Sequence, residues 1–266
     1  IRTIREARQA EGLRVLVTAG AAGIGRAIAA TFAEHGARVH ICDVDREALE
    51  NCAKALPAVT RSVADVASLP DVERLFADVR ANLGGLDVLV NNAGIAGPTG
   101  KVEDIEPEDW NRCIAVDLNG MFYCTRLAMP LLKANGRERG GSVINLSSTA
   151  GRLGFPLRTP YAAAKWGVVG FTKSLAMEAG PDGIRVNAIQ PGIVEGERID
   201  RVIEAKAKSL GVSFAEQKQA MLSKVSLRAM VSAQDIANMA LFLATAAGRH
   251  VSGQALPVCG NVETLV

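Results

Sequence analysis

Charge of one sign, aromatic side chains, paired cysteines and long apolar runs are all scarce in this 266-residue chain. Thirty lysines and arginines face 28 aspartates and glutamates, a formal net charge of +2. That balance leaves no basic footprint for nucleic acid or an anionic membrane surface. Aromatic residues make up 4%, which disfavours both a base-stacking surface and an all-β sandwich. No apolar run reaches the roughly 18 residues that a membrane span needs. The opening stretch, 1–11, is charged and lacks the apolar core of a signal peptide. Cys42, Cys52, Cys113, Cys124 and Cys259 are odd in number and form no C-x-x-C pair, and His35, His40 and His250 show no ligand spacing. Neither a disulfide framework nor a metal site is therefore expected. The cysteines read as small core hydrophobes in a reducing, cytoplasmic setting.

What is present is a large apolar fraction, 48%, enough to bury a substantial core at this length. Length alone leaves one large α/β unit or two small domains open. The pattern along the chain decides for one. Short apolar, β-branched runs at 14–18, 38–42, 59–63, 86–90, 142–146, 184–189 and 255–258 alternate with helical periodicity at 24–35, 46–55, 71–83, 108–135, 160–178 and 233–246. That alternation predicts parallel βαβ crossovers in a Rossmann-type doubly wound sheet with helices on both faces. Strands apolar almost throughout fit a sheet covered on both sides. A polar, helix-prone insertion at 195–222 breaks the rhythm near the carboxyl ends of the strands, where ligands bind in such sheets. The expected organisation is a single domain over 13–266 with a helical substrate lid at about 195–225 and a short N-terminal extension, 1–12.

The turn after the first strand reads Thr18-Ala19-Gly20-Ala21-Ala22-Gly23-Ile24-Gly25. Glycines let the backbone approach a pyrophosphate, and the following helix start offers free N–H groups and partial positive charge. Gly20, Gly23, Ile24 and Gly25 are the candidate phosphate cradle, although the G-x-x-G-x-G spacing differs from the general fingerprint. Asp43, with Val44 beside it, ends the second strand. A carboxylate there can accept hydrogen bonds from both adenine-ribose hydroxyls and repels a 2′-phosphate, so NAD is expected over NADP. Arg46 follows closely but sits at a helix start, facing solvent.

Tyr161-Ala-Ala-Ala-Lys165 places a phenol and an ammonium on one helix face, and Ser148 lies at the end of the fifth strand. Each motif alone is weak. Taken in order, the glycine turn, Asn91-Asn92-Ala93-Gly94, Ser148 and Tyr161/Lys165 resemble the classical short-chain dehydrogenase/reductase family from about Arg14 to Gly260. The resemblance implies Tyr161 as general acid/base, Lys165 as the cation that favours the phenolate and holds the nicotinamide ribose, and Ser148 as the hydroxyl orienting the substrate oxygen. A cation about 4 Å away favours an ionised phenol by roughly 4 kcal/mol at an effective dielectric near 20, and burial opposes part of that. The resemblance further implies that Asp65 and Val66 hold the adenine, that Asn92 to Gly94 line the cofactor, and that Pro191 and Ile193 pack on the nicotinamide. It also implies a homotetramer or homodimer built on the long helices, with Leu127, Met129, Phe171 and Leu175 at core or subunit contacts.

The chain departs from the family pattern at four places. Ala19 replaces a glycine, which an alanine fits only if φ stays negative. Asp117 replaces the asparagine of a proton relay; as a carboxylate it is expected to pair with Lys165 and remains a relay candidate. Gly196 replaces a threonine near the carboxamide, and Cys259 replaces an aspartate where packing or subunit contact is expected.

Arg152 and Arg158 flank the stretch between Ser148 and Tyr161, and Arg198 opens the lid. Convergence of two of them on the cleft would favour a carboxylate or acidic sugar, because arginine binds such groups bidentately. A sugar, polyol or hydroxy acid is the favoured small-molecule substrate. Two rivals stay open: an NADP-dependent ketone or 3-oxoacyl reductase, and a non-catalytic dinucleotide-binding scaffold. An epimerase would need more residues after Pro191 than remain.

Overall fold

Covered on both faces, the strands can be apolar at every position. β1 (Arg14–Thr18) sends Val15 and Val17 to one side of the sheet and Leu16 to the other, and all three are buried. The computed structural model describes residues 9–262, without the side chains of 197, 198, 205, 206 and 209. Most of the expected N-terminal extension and the side chain of Arg198 thus lie outside the described residues.

After β1 come α1 (Gly23–Glu34), β2 (Arg38–Asp43), α2 (Arg46–Ala55), β3 (Thr60–Val63), α3 (Leu69–Leu83) and β4 (Val88–Asn91). Next are α4 (Pro107–Ile114), α5 (Gly120–Lys133), β5 (Gly141–Leu146), α6 (Thr159–Ala179) and β6 (Ile184–Pro191). α7 (Glu197–Leu210), α8 (Phe214–Leu222), α9 (Ala233–Ala244) and β7 (Ala255–Val258) complete the order. All strand pairs are parallel, in the sequence β3-β2-β1-β4-β5-β6-β7. The doubly wound α/β sheet expected from the alternation is what forms. Ile28, Phe32, Ile236 and Leu243 of α1 and α9 fill one side of it, and Leu75, Phe76, Val79 and Leu132 of α3 and α5 fill the other.

Local chemistry sets the element ends. Ser68 caps α3 by accepting from the Asp71 N–H, and Gly84 ends that helix at φ 72, a conformation that glycine adopts without strain. Ser232 and Asp235 form a reciprocal capping box at the start of α9. At the amino ends of the strands, Asp87 is gripped by Arg14 and Arg139, both through Nε at 2.8 Å. Burial alone would raise the Asp87 carboxyl, but the hydrogen bonds from Arg14 and Arg139 outweigh it and hold it at about 2.

Two features position the site. The chain leaves β1 to build β2 and β3 on one side, then returns to β4 on the other, which opens a crevice beyond the carboxyl ends of β1 and β4. The helix expected as uniform over 108–135 instead contains a π-helical turn, Ala115–Asn119, between α4 and α5. Such a turn inserts one extra residue and redirects side chains, often at functional sites. Here it carries Asp117. The insertion after β6 forms two helices, α7 and α8.

Candidate active site

The crevice begins with the glycine-rich turn. Gly20 donates its N–H to the Cys42 carbonyl at 3.0 Å, and a Cβ on it would stand 2.6 Å from Ile41 Cγ2. A Cβ on Gly25 would stand 2.1 Å from the Ala19 carbonyl oxygen, so only glycine lets α1 start this close to the turn. Ala19 itself contradicts the expectation of negative φ: it adopts φ 49. The reason is the carbonyl alignment around it. Asn92 Nδ2 donates to the carbonyls of both Thr18 and Ala19 at 3.0 Å, while the Thr18 hydroxyl accepts from the N–H groups of Asn92 and Ala93 at 3.0 Å. Asn92 thus shapes the cradle from the β4 side. α1 starts with no side-chain cap and no acidic residue in its first turn, which leaves N–H groups and the helix's positive end for an anion.

Asp43 lies at the lip of this turn. Its carboxylate accepts from the Ala21 N–H at 3.3 Å and the Asp45 N–H at 3.2 Å, and Val44 beside it is 61% exposed. Arg46, the first residue of α2, is exposed as expected. Asp65 accepts from the Ala67 N–H at 2.9 Å and pairs with Arg112 of α4 at 3.2 Å. Nothing in the sequence signalled that arginine. Val66 is buried against Gly120, where a Cβ would come within 2.7 Å of it. Pro191 ends β6 buried, and the Ile193 carbonyl accepts from the Val231 N–H at 2.9 Å. Gly196 has φ 137, which a threonine would adopt only with strain. These groups fit a nicotinamide dinucleotide: a glycine cradle for the pyrophosphate, Asp43 for a ribose and an open lip for the adenine.

The chemistry-bearing side chains meet on the other side of the crevice. Ser148 follows β5, its hydroxyl oxygen accepting from the Ala150 N–H at 3.1 Å. Its neighbour Ser147 donates to the Lys165 carbonyl at 2.8 Å and pins α6 to β5. Tyr161 stands in the first turn of α6 and Lys165 one turn later, with Nζ 5.5 Å from the phenol ring centroid. Lys165 is 4% exposed, and its ammonium donates to the Leu146 carbonyl at 3.1 Å and lies 4.0 Å from Asp117 Oδ2. Asp117, 2% exposed, accepts from the Ile95 N–H at 2.6 Å. The expected carboxylate–lysine pairing is therefore present. Cys113, four residues earlier, directs its thiol at Asp117 Oδ2 across 3.9 Å; burial and that carboxylate push it up to about 11. Gly94 borders the pair closely: a Cβ there would lie 3.0 Å from Asp117 Oδ1 and 3.2 Å from Lys165 Nζ.

Arg152 and Arg158 do not converge on one point. Arg152 donates to the Val262 carbonyl at 2.9 Å and to Cys259 Sγ at 3.5 Å, tying the turn after β5 to the chain's last described residue. Cys259 sits in a small apolar cluster with Val225 and Val262, in line with a packing role. Arg158 stays at the site, with Cζ 5.4 Å over the Tyr161 ring and 5.3 Å over Phe155, and bonds the Ala96 carbonyl. Among the described residues no group of three His, Cys, Asp or Glu side chains could hold a metal ion.

Known proteins share this architecture. A family profile described as enoyl-(acyl carrier protein) reductase matches residues 19–261. The chain is 34% identical over 256 residues to a 3-oxoacyl-[acyl-carrier-protein] reductase of Thermotoga maritima, covering 95% of this chain and 98% of that protein. It is 35% identical over 252 residues to a sorbitol dehydrogenase of Cereibacter sphaeroides, covering 94% and 97%. Among solved structures, a variant of an actinorhodin polyketide ketoreductase with NADPH superposes at a TM-score of 0.89, with 34% identity and coverage of 96% of this chain and 98% of that one.

Proposed function

This chain belongs to the classical short-chain dehydrogenase/reductase family, and from that premise we propose an NAD(H)-dependent oxidoreductase acting on a polar secondary alcohol or ketone, with Tyr161 as its acid/base. The observation that carries the reading is the buried Lys165 ammonium 5.5 Å over the Tyr161 ring, at the crevice that Gly20 to Gly25 and Asp43 border. When bound, the dinucleotide supplies or accepts the hydride. The chain's own groups handle position and proton. Tyr161 takes the proton from the alcohol oxygen in oxidation and returns it in reduction. Lys165 stabilises the phenolate, and its contact with the Leu146 carbonyl fixes where that charge stands. Ser148 holds the substrate oxygen beside the phenol. Asp43 accepts from the adenine-ribose hydroxyls, with Val44 and Val66 flanking the adenine and Asp65 reaching it at its edge. Pro191 and Ile193 back the nicotinamide.

A sugar, polyol or hydroxy acid is the favoured substrate class, because the Arg158 guanidinium borders the acid/base. α7 and α8 act as the lid over it. Steady-state NADH production across polyol, sugar and hydroxy-acid panels tests this; activity confined to apolar alcohols would contradict it. The second reading is an NADP-dependent ketone or 3-oxoacyl reductase, favoured by the Thermotoga relative and by the NADPH of the solved ketoreductase. The Asp43 carboxylate opposes a 2′-phosphate, and parallel NAD and NADP titrations decide between them. A silent scaffold is disfavoured by the intact Ser148, Tyr161 and Lys165 set. Assembly into a homotetramer or homodimer is supported by Phe122 and Trp166, both exposed on the long helices, while Leu127, Met129 and Leu175 pack partly into the core. Five free, buried cysteines support a cytoplasmic setting, and no described helix is long and apolar enough to cross a membrane.

A further inference from the structure

Asp117 creates an electrostatic difficulty for the acid/base. The cation that is to stabilise the phenolate, Lys165, is buried 4.0 Å from a buried carboxylate. A carboxylate at that range offsets much of the lysine's field at a third group nearby. Yet the phenol ring has a second cation against it. Arg158 Cζ lies 5.4 Å from the ring centroid, as near as the 5.5 Å of Lys165 Nζ. Packing against Phe155 and a hydrogen bond to the Ala96 carbonyl hold the guanidinium there. Arginine suits such a place, since it stacks on rings and keeps its charge throughout the working pH range. The three charges act over one small volume: the Cys113 thiol is pushed up by burial and Asp117, and pulled down by Lys165 and Arg158.

We propose that Arg158 is a positioning residue for the acid/base, supplying at Tyr161 the positive potential that Asp117 withdraws from Lys165. The phenolate is then stabilised by two cations and one carboxylate rather than by the lysine alone. This rests on the assignment of Tyr161 as acid/base. Among the described residues, the ionisable groups around the phenol are Arg158, the residue before α6, Lys165 on α6, and Cys113 and Asp117 on α4 and the π-helical turn. The loop 92–97 carries none, and in 147–154 Arg152 is bonded to Val262.

The chain has two tyrosines, Tyr123 and Tyr161, so tyrosinate absorbance in a Tyr123→Phe background reads Tyr161 directly. Arg158→Met is expected to raise the titration midpoint by about one pH unit, and Asp117→Asn to lower it by a similar amount. The double variant returns to within a few tenths of the parent, and Arg158→Lys stays near it. The pH midpoint of kcat/KM should move in step, with dinucleotide affinity unchanged. An unshifted midpoint in Arg158→Met overturns the proposal. Should that variant not fold, an unshifted midpoint in Asp117→Asn does so instead. The absorbance titration needs no turnover, so a failure of the acid/base assignment, seen as an active Tyr161→Phe enzyme, is distinguishable from a failure of this proposal.

Discussion

Acidification should weaken the cofactor half of the fold first, through His40. This residue sits on β2, three positions before Asp43, and is fully buried. Nδ1 lies 2.8 Å from the Thr60 hydroxyl and Nε2 3.0 Å from the Ser62 hydroxyl, which itself donates to Asp78 at 2.5 Å. Burial pushes the imidazole down to about 4, against the opposing pull of Asp78. In the unfolded chain the group titrates near its ordinary value of about 6.5. A folded-state value below the unfolded one means that the native state favours the neutral ring. Its contribution is complete above about pH 6.5 and is lost as pH falls towards 4. At about 1.4 kcal/mol per unit, the full loss is about 3 kcal/mol, with about 2 kcal/mol gone by pH 5. Carboxylates titrate in part of this window, so the comparison needs a variant. Urea unfolding of the parent and His40→Gln at pH 7.5 and 5.0 isolates the term: the parent should lose about 2 kcal/mol more than the variant. Equal losses in both proteins would refute the reasoning.

Three further outcomes follow from other parts of the structure. Asp87→Ala leaves Arg14 and Arg139 without their shared carboxylate and should lower unfolding free energy by about 3 kcal/mol in the same urea assay. In the parent, the Asp87 contribution is present above about pH 3.8 and is lost as pH falls towards 2, a window below that of His40. Ala19→Gly relieves a left-handed alanine but frees the unfolded chain, so a net gain of about 0.5–1 kcal/mol is expected; a loss would contradict the strain. On the proposed role of Asp43 as acceptor for the ribose hydroxyls, Asp43→Ser should weaken NAD binding about 10- to 100-fold while improving NADP binding, both measurable by protein fluorescence titration.

The sheet was legible because its signal is periodic and dense. β1, β7 and α2 follow from apolar runs and helical periodicity and form where these place them. The π-helical turn was not, because an apolar pattern with one residue inserted reads like a continuous helix until backbone bonds are seen. Ala19 illustrates a different limit: its left-handed φ is imposed by Asn92, 73 residues away, and single-residue preference predicts the opposite. Arg152 was expected to flank the cleft, but its partner is the Val262 carbonyl 110 residues on, a pairing that leaves no local mark. Arg158, three residues before Tyr161, reads as a substrate candidate; its place over the phenol ring was not foreseen, because it depends on how the N-cap turns the side chain back. The pairings of Arg112 with Asp65 and of His40 with Thr60 and Ser62 join separate elements and leave no local mark. The Tyr161/Lys165 spacing, by contrast, is a local helix property, and the pairing of Asp117 with Lys165 followed from a family position.

The account stands most directly on what Tyr161 does. Purified parent and Tyr161→Phe proteins are compared for NADH formation with NAD and a panel of polyols and hydroxy acids, alongside NAD binding by fluorescence. Turnover in the parent, lost in the variant with affinity held within a few-fold, is the predicted result. Near-normal turnover by Tyr161→Phe would contradict the assignment of the acid/base.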